Sequence, residues 1–355
     1  MTITSLCFIC FVAIFVVATV LSQDAKVLGV SVSKKDMKDK VFLCIGCTRG
    51  IGEAAARQMA NRGAAVVVSG RNKAAGDAIA NDIGGKFLRA DMGELDDLRT
   101  LFAETEEAYG GIDAVFCNGV YDDGYIGKSI EDISPESIEK MVAVNHAAPV
   151  FVYDMAVKAF VKRGGGSLVF TASLAAFINE GLARSMPMGG FTYYSASKIQ
   201  MTGLARTSAG LMASHNIRVN TVAPAVYKTK LSLDGVSWFG KNWGINSLEA
   251  FSSFNPVVQF CPGDPADAAA AAVEMLANTT SWLPGDVVVT DNQYSFASTP
   301  LVESFGKHDQ GVAEVDVSLL RDLSGNPISV TKEQIAQQSA ACMAAMAPPD
   351  QEKDL

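Results

Sequence analysis

The chain has 355 residues, which is long enough for one large α/β domain with additional segments or for two modest domains. Hydrophobic residues make up 49% and charged residues 19% of it, a balance that excludes an intrinsically disordered protein. The formal net charge is -9 and no cluster of basic residues offsets it, so nucleic acid is excluded as the expected partner.

An uncharged, apolar segment lies near the N-terminus. Residues 3–22 would span about 30 Å as a helix, roughly the thickness of the hydrocarbon core of a bilayer. A retained membrane anchor and a cleaved signal peptide both stay open, although the segment lacks the basic start of a typical signal. Lysines follow it, from Lys26 to Lys40, and none precedes it. We therefore expect an anchor in the endoplasmic reticulum or another endomembrane, with the main domain in the cytosol. The alternative is the secretory lumen after cleavage.

Short apolar runs alternate with helix-length segments from Lys40 onward. The runs that we interpret as buried strands lie at residues 41–45, 65–68, 86–88, 114–116, 167–170, 218–222 and 286–289. This alternation predicts an α/β fold with one doubly wound, parallel, seven-stranded sheet over residues 38–299. We expect residues 1–37 and a C-terminal extension, residues 300–355, to stand outside that domain. Within the extension, Thr331 and Gln334 have the spacing of a capping box for a late helix.

The spacing of the seven cysteines indicates no disulfide framework. Cys44, Cys47 and Cys117 fall in or beside predicted strands, where we expect packed free thiols. The Cys44-x-x-Cys47 pair has no second pair to complete a metal site, and the three histidines are scattered. We therefore expect no metal.

The first predicted strand runs directly into a glycine-rich loop and then a helix. Glycines there let the backbone approach a pyrophosphate, whose charge the amides at the helix N-terminus favour. A position between a first strand and a first helix therefore predicts a nucleotide site. The residues expected to form it are Gly46, Thr48, Arg49, Gly50, Ile51 and Gly52.

The end of the second predicted strand reads Ser69-Gly70-Arg71. An acidic residue at that position would accept hydrogen bonds from a ribose 2'-hydroxyl, whereas an arginine suits a 2'-phosphate. Arg49 in the glycine-rich loop is able to close on the same phosphate. Two cations therefore favour NADP over NAD as the cofactor.

A tyrosine and a lysine stand four residues apart in the run Tyr194-Ser195-Ala196-Ser197-Lys198. On a helix, their side chains share one face. An ammonium held beside a phenol favours the phenolate, so we expect the pKa of Tyr194 to fall from its ordinary value near ~10. A phenol with a lowered pKa is suited to donate or accept a proton near neutral pH.

Taken together, the glycine motif and the Tyr194–Lys198 motif about 140 residues later resemble the short-chain dehydrogenase/reductase family, of the single-domain Rossmann type. The similarity covers roughly residues 38–292. Further positions that match the family's pattern are Asp91, Asn118, Asn145, Ser173, Pro224 and Thr229.

The resemblance implies an oxidoreductase that interconverts a carbonyl and a secondary alcohol by hydride transfer with NADP(H). It implies that Ser173 polarises the substrate carbonyl while Tyr194 passes a proton to its oxygen. Lys198 would tune the tyrosine and hold the nicotinamide ribose, and Asn145 would support a water-linked proton path. Asp91, Asn118, Pro224 and Thr229 would contact the cofactor.

Several stretches depart from the family's pattern. After the fourth strand the chain reads Cys117-Asn118-Gly119-Val120 where the family has Asn-Asn-Ala-Gly. Ser173 and Tyr194 are 21 positions apart, and the surplus lies in residues 179–191. These departures keep an alternative function open: a catalytically weak NADP-binding scaffold or redox-sensing protein of the same fold.

The substrate is indicated only by composition. Residues 230–260 are rich in aromatic side chains and would border the substrate, which suggests an apolar or lipid-like carbonyl compound. The alternative is that these side chains pack a longer lid. The resemblance also implies a homodimer or homotetramer, formed through helices near Met155 and Tyr194.

Overall fold

The computed structural model describes residues 36–122, 128, 130–177, 189–243, 247, 257–258, 261–277, 283–297 and 317–346. The apolar segment 3–22 and residues 179–188 of the surplus lie outside this part of the chain. The aromatic side chains of residues 230–260 lie outside it as well. Among the helices that the structure describes, none has the length and apolar character needed to cross a membrane.

Eight strands form one sheet. They are β1 (Val41–Ile45), β2 (Ala65–Gly70), β3 (Lys86–Arg89), β4 (Ala114–Cys117), β5 (Gly166–Thr171), β6 (Ile217–Pro224), β7 (Val287–Asp291) and β8 (Tyr294–Ala297). Their order is β3-β2-β1-β4-β5-β6-β7-β8, with β1 to β7 parallel. The order reverses between β1 and β4, and ligands of doubly wound sheets bind at the carboxyl ends of strands beside such a reversal.

The predicted doubly wound sheet of seven parallel strands is confirmed, and the structure adds an eighth strand. β8 pairs antiparallel with β7, with Asp291 opposite Tyr294. Asn292, between these two residues, adopts a φ of 54°, the left-handed conformation that tight hairpin turns use. The sequence prediction missed β8 because it is short and its turn lacks the glycine that usually marks a hairpin.

Helices cover both faces of the sheet. They are α1 (Gly50–Asn61), α2 (Lys73–Ile83), α3 (Leu95–Tyr109), α4 (Pro135–Met141), α5 (Ala148–Arg163), α6 (Gly189–Ala213), α7 (Lys230–Trp243), α8 (Pro265–Ala277) and α9 (Lys332–Met346). A π-helical turn, Val142–Ala147, joins α4 to α5. The central strands are buried along their whole length, as expected for strands covered on both faces.

Two large hydrophobic cores lie on the two faces of the sheet. In one, α3, α5 and α6 pack against the strands, and in the other α1 and α8 do so. With both faces covered, the carboxyl ends of the strands are the place where loops with chemical side chains gather.

A third cluster of apolar side chains joins the C-terminal residues to the sheet. Helix α9 begins with the predicted capping box: the Thr331 amide donates to Gln334 Oε1 at 2.8 Å, and the Gln334 amide donates to Thr331 Oγ1 at 3.2 Å. The helix then packs beside β7 and β8 through Ile335 and Cys342. The part of the extension that the structure describes is thus docked on the sheet.

The spacing of the cysteines indicated no disulfide framework, and the structure corrects this for one pair. Cys261 and Cys342 form a disulfide across 81 residues of sequence, with their Cα atoms 5.7 Å apart. Spacing did not reveal the pair, because only the return of α9 to the end of the sheet brings the two residues together. Cys44, Cys47 and Cys117 are buried free thiols, as predicted.

Candidate active site

The turn from β1 to α1 can be built only with glycines. Gly46 has a φ of +74°, and a Cβ placed there would lie 2.3 Å from the Cα of Gly119. Gly50 also has a positive φ, +58°, and begins α1. The side chain of Arg49, the N-cap residue, accepts no hydrogen bond from the first turn of α1. The first amide N–H groups of the helix are therefore available to an anion.

The ends of β2 and β3 lie beside this turn. A Cβ at Gly70 would meet Thr48 Cγ2 at 2.9 Å, so glycine there lets the turn lie close to β2. Arg71 follows, with 60% of its side chain exposed and its guanidinium 4.0 Å from Asp91 Oδ2. Arg49, Arg71 and Asp91 all line the same cavity. Two cations and one carboxylate therefore border the end of the cavity nearest the glycine turn.

Asn118 connects the glycine turn to β5. Its Nδ2 donates to the Gly46 carbonyl at 3.1 Å, and its Oδ1 accepts from Thr171 Oγ1 at 3.0 Å. The Thr171 carbonyl accepts a hydrogen bond from Lys198 Nζ at 2.8 Å. One chain of contacts thus runs from Gly46 through Asn118 and Thr171 to Lys198.

Ser173, Tyr194 and Lys198 come together across the junction of β5 and α6. Ser173 follows the end of β5, where its Oγ accepts from the Ala175 amide at 3.1 Å, and it lies near enough to Tyr194 to influence the pKa of that phenol. Tyr194 and Lys198 are one turn apart on α6, and Lys198 Nζ lies 5.5 Å from the centroid of the Tyr194 ring. Lys198 is only 2% exposed. Such burial of a lysine is rare unless its ammonium is bonded, as it is here to Thr171.

Asn145 lies in the π-helical turn and is fully buried. Its side chain makes a pair of hydrogen bonds with the backbone of Tyr121, Nδ2 to the carbonyl at 3.1 Å and Oδ1 from the amide at 2.8 Å. π-Helical turns inside longer helices are rare overall. Where they occur, they are frequently at functional sites. The turn brings Asn145 to the loop after β4, which borders the cavity through Tyr121.

A second pair of contacts holds the π-helical turn on α6. Gln200 Nε2 donates to the His146 carbonyl at 2.8 Å, and Gln200 Oε1 lies 2.5 Å from His146 Nδ1. Because the amide oxygen of Gln200 can only accept, His146 Nδ1 carries the proton in this arrangement. The element that carries Asn145 is thereby tied to the helix that carries Tyr194 and Lys198.

One cavity of about 760 Å³ contains nearly all of the predicted site residues. Those that line it are Gly46, Thr48, Arg49, Gly50, Ile51, Arg71, Asp91, Asn118, Ser173, Tyr194, Lys198, Pro224 and Thr229. Gly52 and Asn145 lie behind the wall. A Cβ at Gly52 would meet Asn118 Nδ2 at 2.7 Å and Cys47 Cα at 2.7 Å, so this glycine permits packing behind the turn.

Comparison with known proteins gives this arrangement its family. The family model described as short chain dehydrogenase matches residues 40–237. Dehydrogenase/reductase SDR family member 4 of Homo sapiens is 32% identical over 259 residues, which are 71% of this chain and 86% of that protein. The chain belongs to the short-chain dehydrogenase/reductase family.

Other relatives support the same family assignment. 2,5-Dichloro-2,5-cyclohexadiene-1,4-diol dehydrogenase of Sphingobium indicum is 28% identical, over 73% of this chain and 98% of that protein. A solved short chain dehydrogenase/reductase family protein matches with a TM-score of 0.58 and 26% identity, over 72% of this chain and 97% of that one. Levodione reductase matches with a TM-score of 0.63 and 23% identity, over the same shares of the two chains, and shows a likeness of fold.

In this short-chain dehydrogenase/reductase, the ionisation of Tyr194 differs from the prediction. Burial raises the pKa of Tyr194 to about 12, the nearby Ser173 hydroxyl opposes the rise, and the carboxylate of Asp122 adds to it. Burial also lowers the pKa of Lys198 to about 8. The lowered tyrosine pKa predicted from the sequence is therefore wrong for this structure. The pKa of Tyr194 differs from the prediction because the site buries the phenol, while the Lys198 ammonium donates to the Thr171 carbonyl.

Three contributors to the site were missed in the sequence. Thr171 offers both its carbonyl and its hydroxyl to the chain of contacts. Gln200 hydrogen-bonds to His146. It stands two residues after Lys198, and side chains two residues apart on a helix lie on different faces, so the Tyr194–Lys198 motif does not point to it. Asp122 lines the cavity near Tyr194, and only the folded loop after β4 places it there.

Proposed function

We propose that this short-chain dehydrogenase/reductase uses NADP(H) to interconvert a carbonyl compound and a secondary alcohol. The observation that carries the proposal is that Ser173, Tyr194 and Lys198 line the cavity that also contains the glycine turn. Two hydroxyls at one point can bind a single substrate oxygen, Ser173 as a hydrogen-bond donor and Tyr194 as a proton donor. The opposite end of the cavity suits a dinucleotide.

The residues around the glycine turn fit a nicotinamide dinucleotide. The backbone at Gly46 and Gly50 allows close approach, and the amides of α1 would face an anion without a competing side-chain acceptor. When bound, the cofactor supplies or accepts the hydride. In the proposed roles, Lys198 holds the nicotinamide ribose and Asn145 supports a water-linked path for the proton. Asp91 and Asn118 would lie against the adenosine part, and Pro224 and Thr229 against the nicotinamide part.

The choice of NADP over NAD rests on Arg49 and Arg71. Both line the cavity, and Arg71 keeps most of its side chain exposed beside the end of β2. An arginine there binds a 2'-phosphate with charge-assisted hydrogen bonds, and NAD lacks that phosphate. We therefore expect a preference for NADPH over NADH.

Replacement of Arg71 by alanine is expected to raise the KM for NADPH by about 10-fold to 100-fold, because a charged hydrogen bond contributes about 1.5–3 kcal/mol. The KM for NADH should change little. Arg99→Ala is the matched control, since Arg99 is similarly exposed, at 63%, and pairs with Asp96 on α3. Steady-state kinetics with both cofactors give the result. Equal effects on NADPH and NADH would contradict the assignment of Arg71 to the 2'-phosphate.

The substrate end of the cavity is mainly apolar, and its lining includes Val120, Leu174, Ala175, Phe191 and Val226. This lining supports the proposal of an apolar, lipid-like carbonyl substrate.

A panel of carbonyl compounds assayed with NADPH and NADH tests the function and the substrate class together. We expect NADPH oxidation with at least one ketone or aldehyde, and a higher kcat/KM for long-chain than for small polar compounds. If small polar ketones are the better substrates, the lipid-like class is wrong while the reaction stands. If cofactor binds but no carbonyl is reduced and no alcohol oxidised, the alternative of an NADP-binding scaffold is favoured.

We propose that the protein is a homo-oligomer that pairs through α5 and α6. Large apolar side chains are exposed on these helices, among them Val150 at 45%, Ile199 at 47% and Leu211 at 68%. A second copy of the chain would cover such a surface.

The location of the protein in the cell stays a prediction. The disulfide between Cys261 and Cys342 supports the lumenal alternative over the cytosolic one, because disulfides persist in oxidising compartments. Asn278-Thr279-Thr280 is a glycosylation sequon that lies outside the described residues. A glycan on Asn278 would place the domain in the lumen.

A further inference from the structure

A layer of apolar side chains lies between the cavity and residues 317–346, which we name the C-terminal segment. On the cavity side the layer contains Ala172, Leu174, Phe191 and Ala225, all of which also line the cavity. On the other side it contains Val317, Leu320, Ile328, Val330, Ile335 and Cys342. Because protein interiors are closely packed, a shift of the C-terminal segment would reach the wall of the cavity.

The C-terminal segment is tied to the rest of the domain at three points. Cys342 in α9 is bonded to Cys261. The hydroxyl of Tyr294 in β8 donates to Gln338 Oε1 in α9 at 2.9 Å. The backbones of Ser295 and Arg321 exchange two hydrogen bonds, at 2.9 and 2.8 Å. Of these three ties, the disulfide alone is covalent.

The partner of Cys342 belongs to a segment held against the end of β7. Asn292 Nδ2 donates to the Cys261 carbonyl at 3.0 Å. The buried carboxylate of Asp291 accepts from the amides of Val257 and Val258, at 2.7 and 2.8 Å. The Tyr227 hydroxyl donates to the Asn292 carbonyl at 3.3 Å, and Tyr227 lines the cavity. The disulfide therefore connects α9 to the chain that follows α7, at the substrate end.

We propose that the C-terminal segment is a substrate-positioning element and that the Cys261–Cys342 disulfide holds it in place. The apolar layer fixes Leu174 and Phe191, and these residues shape the substrate end of the cavity beside Ser173 and Tyr194. The adenosine end of the cofactor site is built from other elements, the turns after β1, β2, β3 and β4, and does not depend on this bond. This inference rests on the proposed function as far as the expected change in substrate KM is concerned. The expected change in structure rests on packing alone.

Reduction of the disulfide provides the test on the full-length protein. A dithiol such as dithiothreitol opens the Cys261–Cys342 bond to two thiols and closes to its own disulfide, so two electrons and two protons pass to the protein. We expect reduction to raise the KM for the best carbonyl substrate tenfold or more, because misplacement by about 1 Å can cost about 100-fold. The Kd for NADPH should not change.

Variants separate the bond from other effects of the reagent. Cys342→Ser should show the raised KM without dithiothreitol and no further change with it. Ala341→Ser is the matched control, an exposed neighbour on the same helix with the same added hydroxyl. Peptide mass analysis without reduction should find the two cysteine peptides linked. Finding both as free thiols in the active protein would overturn the proposal.

Hydrogen exchange gives a second measurement that does not need turnover. Reduction or Cys342→Ser should speed amide exchange in residues 172–176 and 257–258 and leave the turn at residues 46–52 unchanged. No change in residues 172–176, or equal changes at both ends of the cavity, would overturn the proposal. A protein that shows the expected exchange pattern but reduces no carbonyl would refute the proposed function and leave the positioning element intact.

Discussion

Replacement of Tyr194 by phenylalanine is expected to lower kcat by about 1,000-fold, within the range that general acid–base groups contribute. The variant removes one oxygen from a buried ring and keeps its packing. It removes the phenolic hydroxyl, so the substrate oxygen would lose its proton donor. The KM for NADPH should change little, because Lys198 keeps its bond to the Thr171 carbonyl. Steady-state kinetics with the best carbonyl substrate give the result.

Tyr193→Phe is the matched control for this variant. Tyr193 is the preceding residue on α6 and is partly buried against the same small cluster of side chains. Its hydroxyl has no role in the proposed reaction, so activity should stay within about twofold, the scale of a surface substitution. If Tyr194→Phe reduces carbonyls as fast as the unchanged protein, proton transfer by Tyr194 is wrong. If both variants lose activity to the same extent, the loss is due to disturbed packing of α6 and not to the loss of proton transfer.

The parts of the site that depend on local spacing could be predicted from the sequence. Gly46, Gly50 and Gly52 lie within one turn, and Tyr194 and Lys198 lie four residues apart on one helix, so their relation needs no knowledge of distant contacts. Parallel strands then place the ends of β1, β4 and β5 at one edge of the sheet. Together these facts were enough to predict the fold, and the family resemblance added the prediction that Ser173 acts together with Tyr194.

Contacts between distant segments could not be predicted in this way. The Lys198 ammonium is able to bond to the phenol or to a carbonyl, and only the packing of α6 beside the end of β5 decides for Thr171. The same packing buries Tyr194, which is why its pKa rises where the local pattern predicted a fall. Burial is a property of the whole fold, so a five-residue pattern does not contain it.

The C-terminal residues show the same limit. Nothing in the spacing of Cys261 and Cys342 distinguishes them from the buried thiols Cys44 and Cys117. Their pairing depends on α9 docking beside β8, a strand that the sequence prediction also missed. A family model that ends at residue 237 gives no guide to this part of the chain. The contacts of the C-terminal residues with the substrate end are therefore the part of the site that the sequence predicts least.

The largest effect on cofactor binding is expected from Gly46→Ala. The substitution combines two penalties: a left-handed φ of +74°, which costs an alanine about 1–2 kcal/mol, and a Cβ 2.3 Å from the Cα of Gly119. Gly119 is backbone and cannot rotate away, so the turn must shift and take the Gly46 carbonyl away from Asn118. We expect the Kd for NADPH to rise by more than about 100-fold, a loss of more than about 2.8 kcal/mol of binding energy.

Gly84→Ala separates the two penalties. Gly84 ends α2 with a φ of +65°, yet a Cβ placed there meets nothing within 4 Å. The Gly84→Ala substitution should lower the free energy of unfolding by about 1–2 kcal/mol and leave NADPH binding unchanged. Urea unfolding and fluorescence titration with NADPH measure both quantities on each variant. If Gly46→Ala binds NADPH as tightly as Gly84→Ala does, the close approach of Gly46 to Gly119 does not shape the cofactor site, and the fit of the dinucleotide to this turn is refuted.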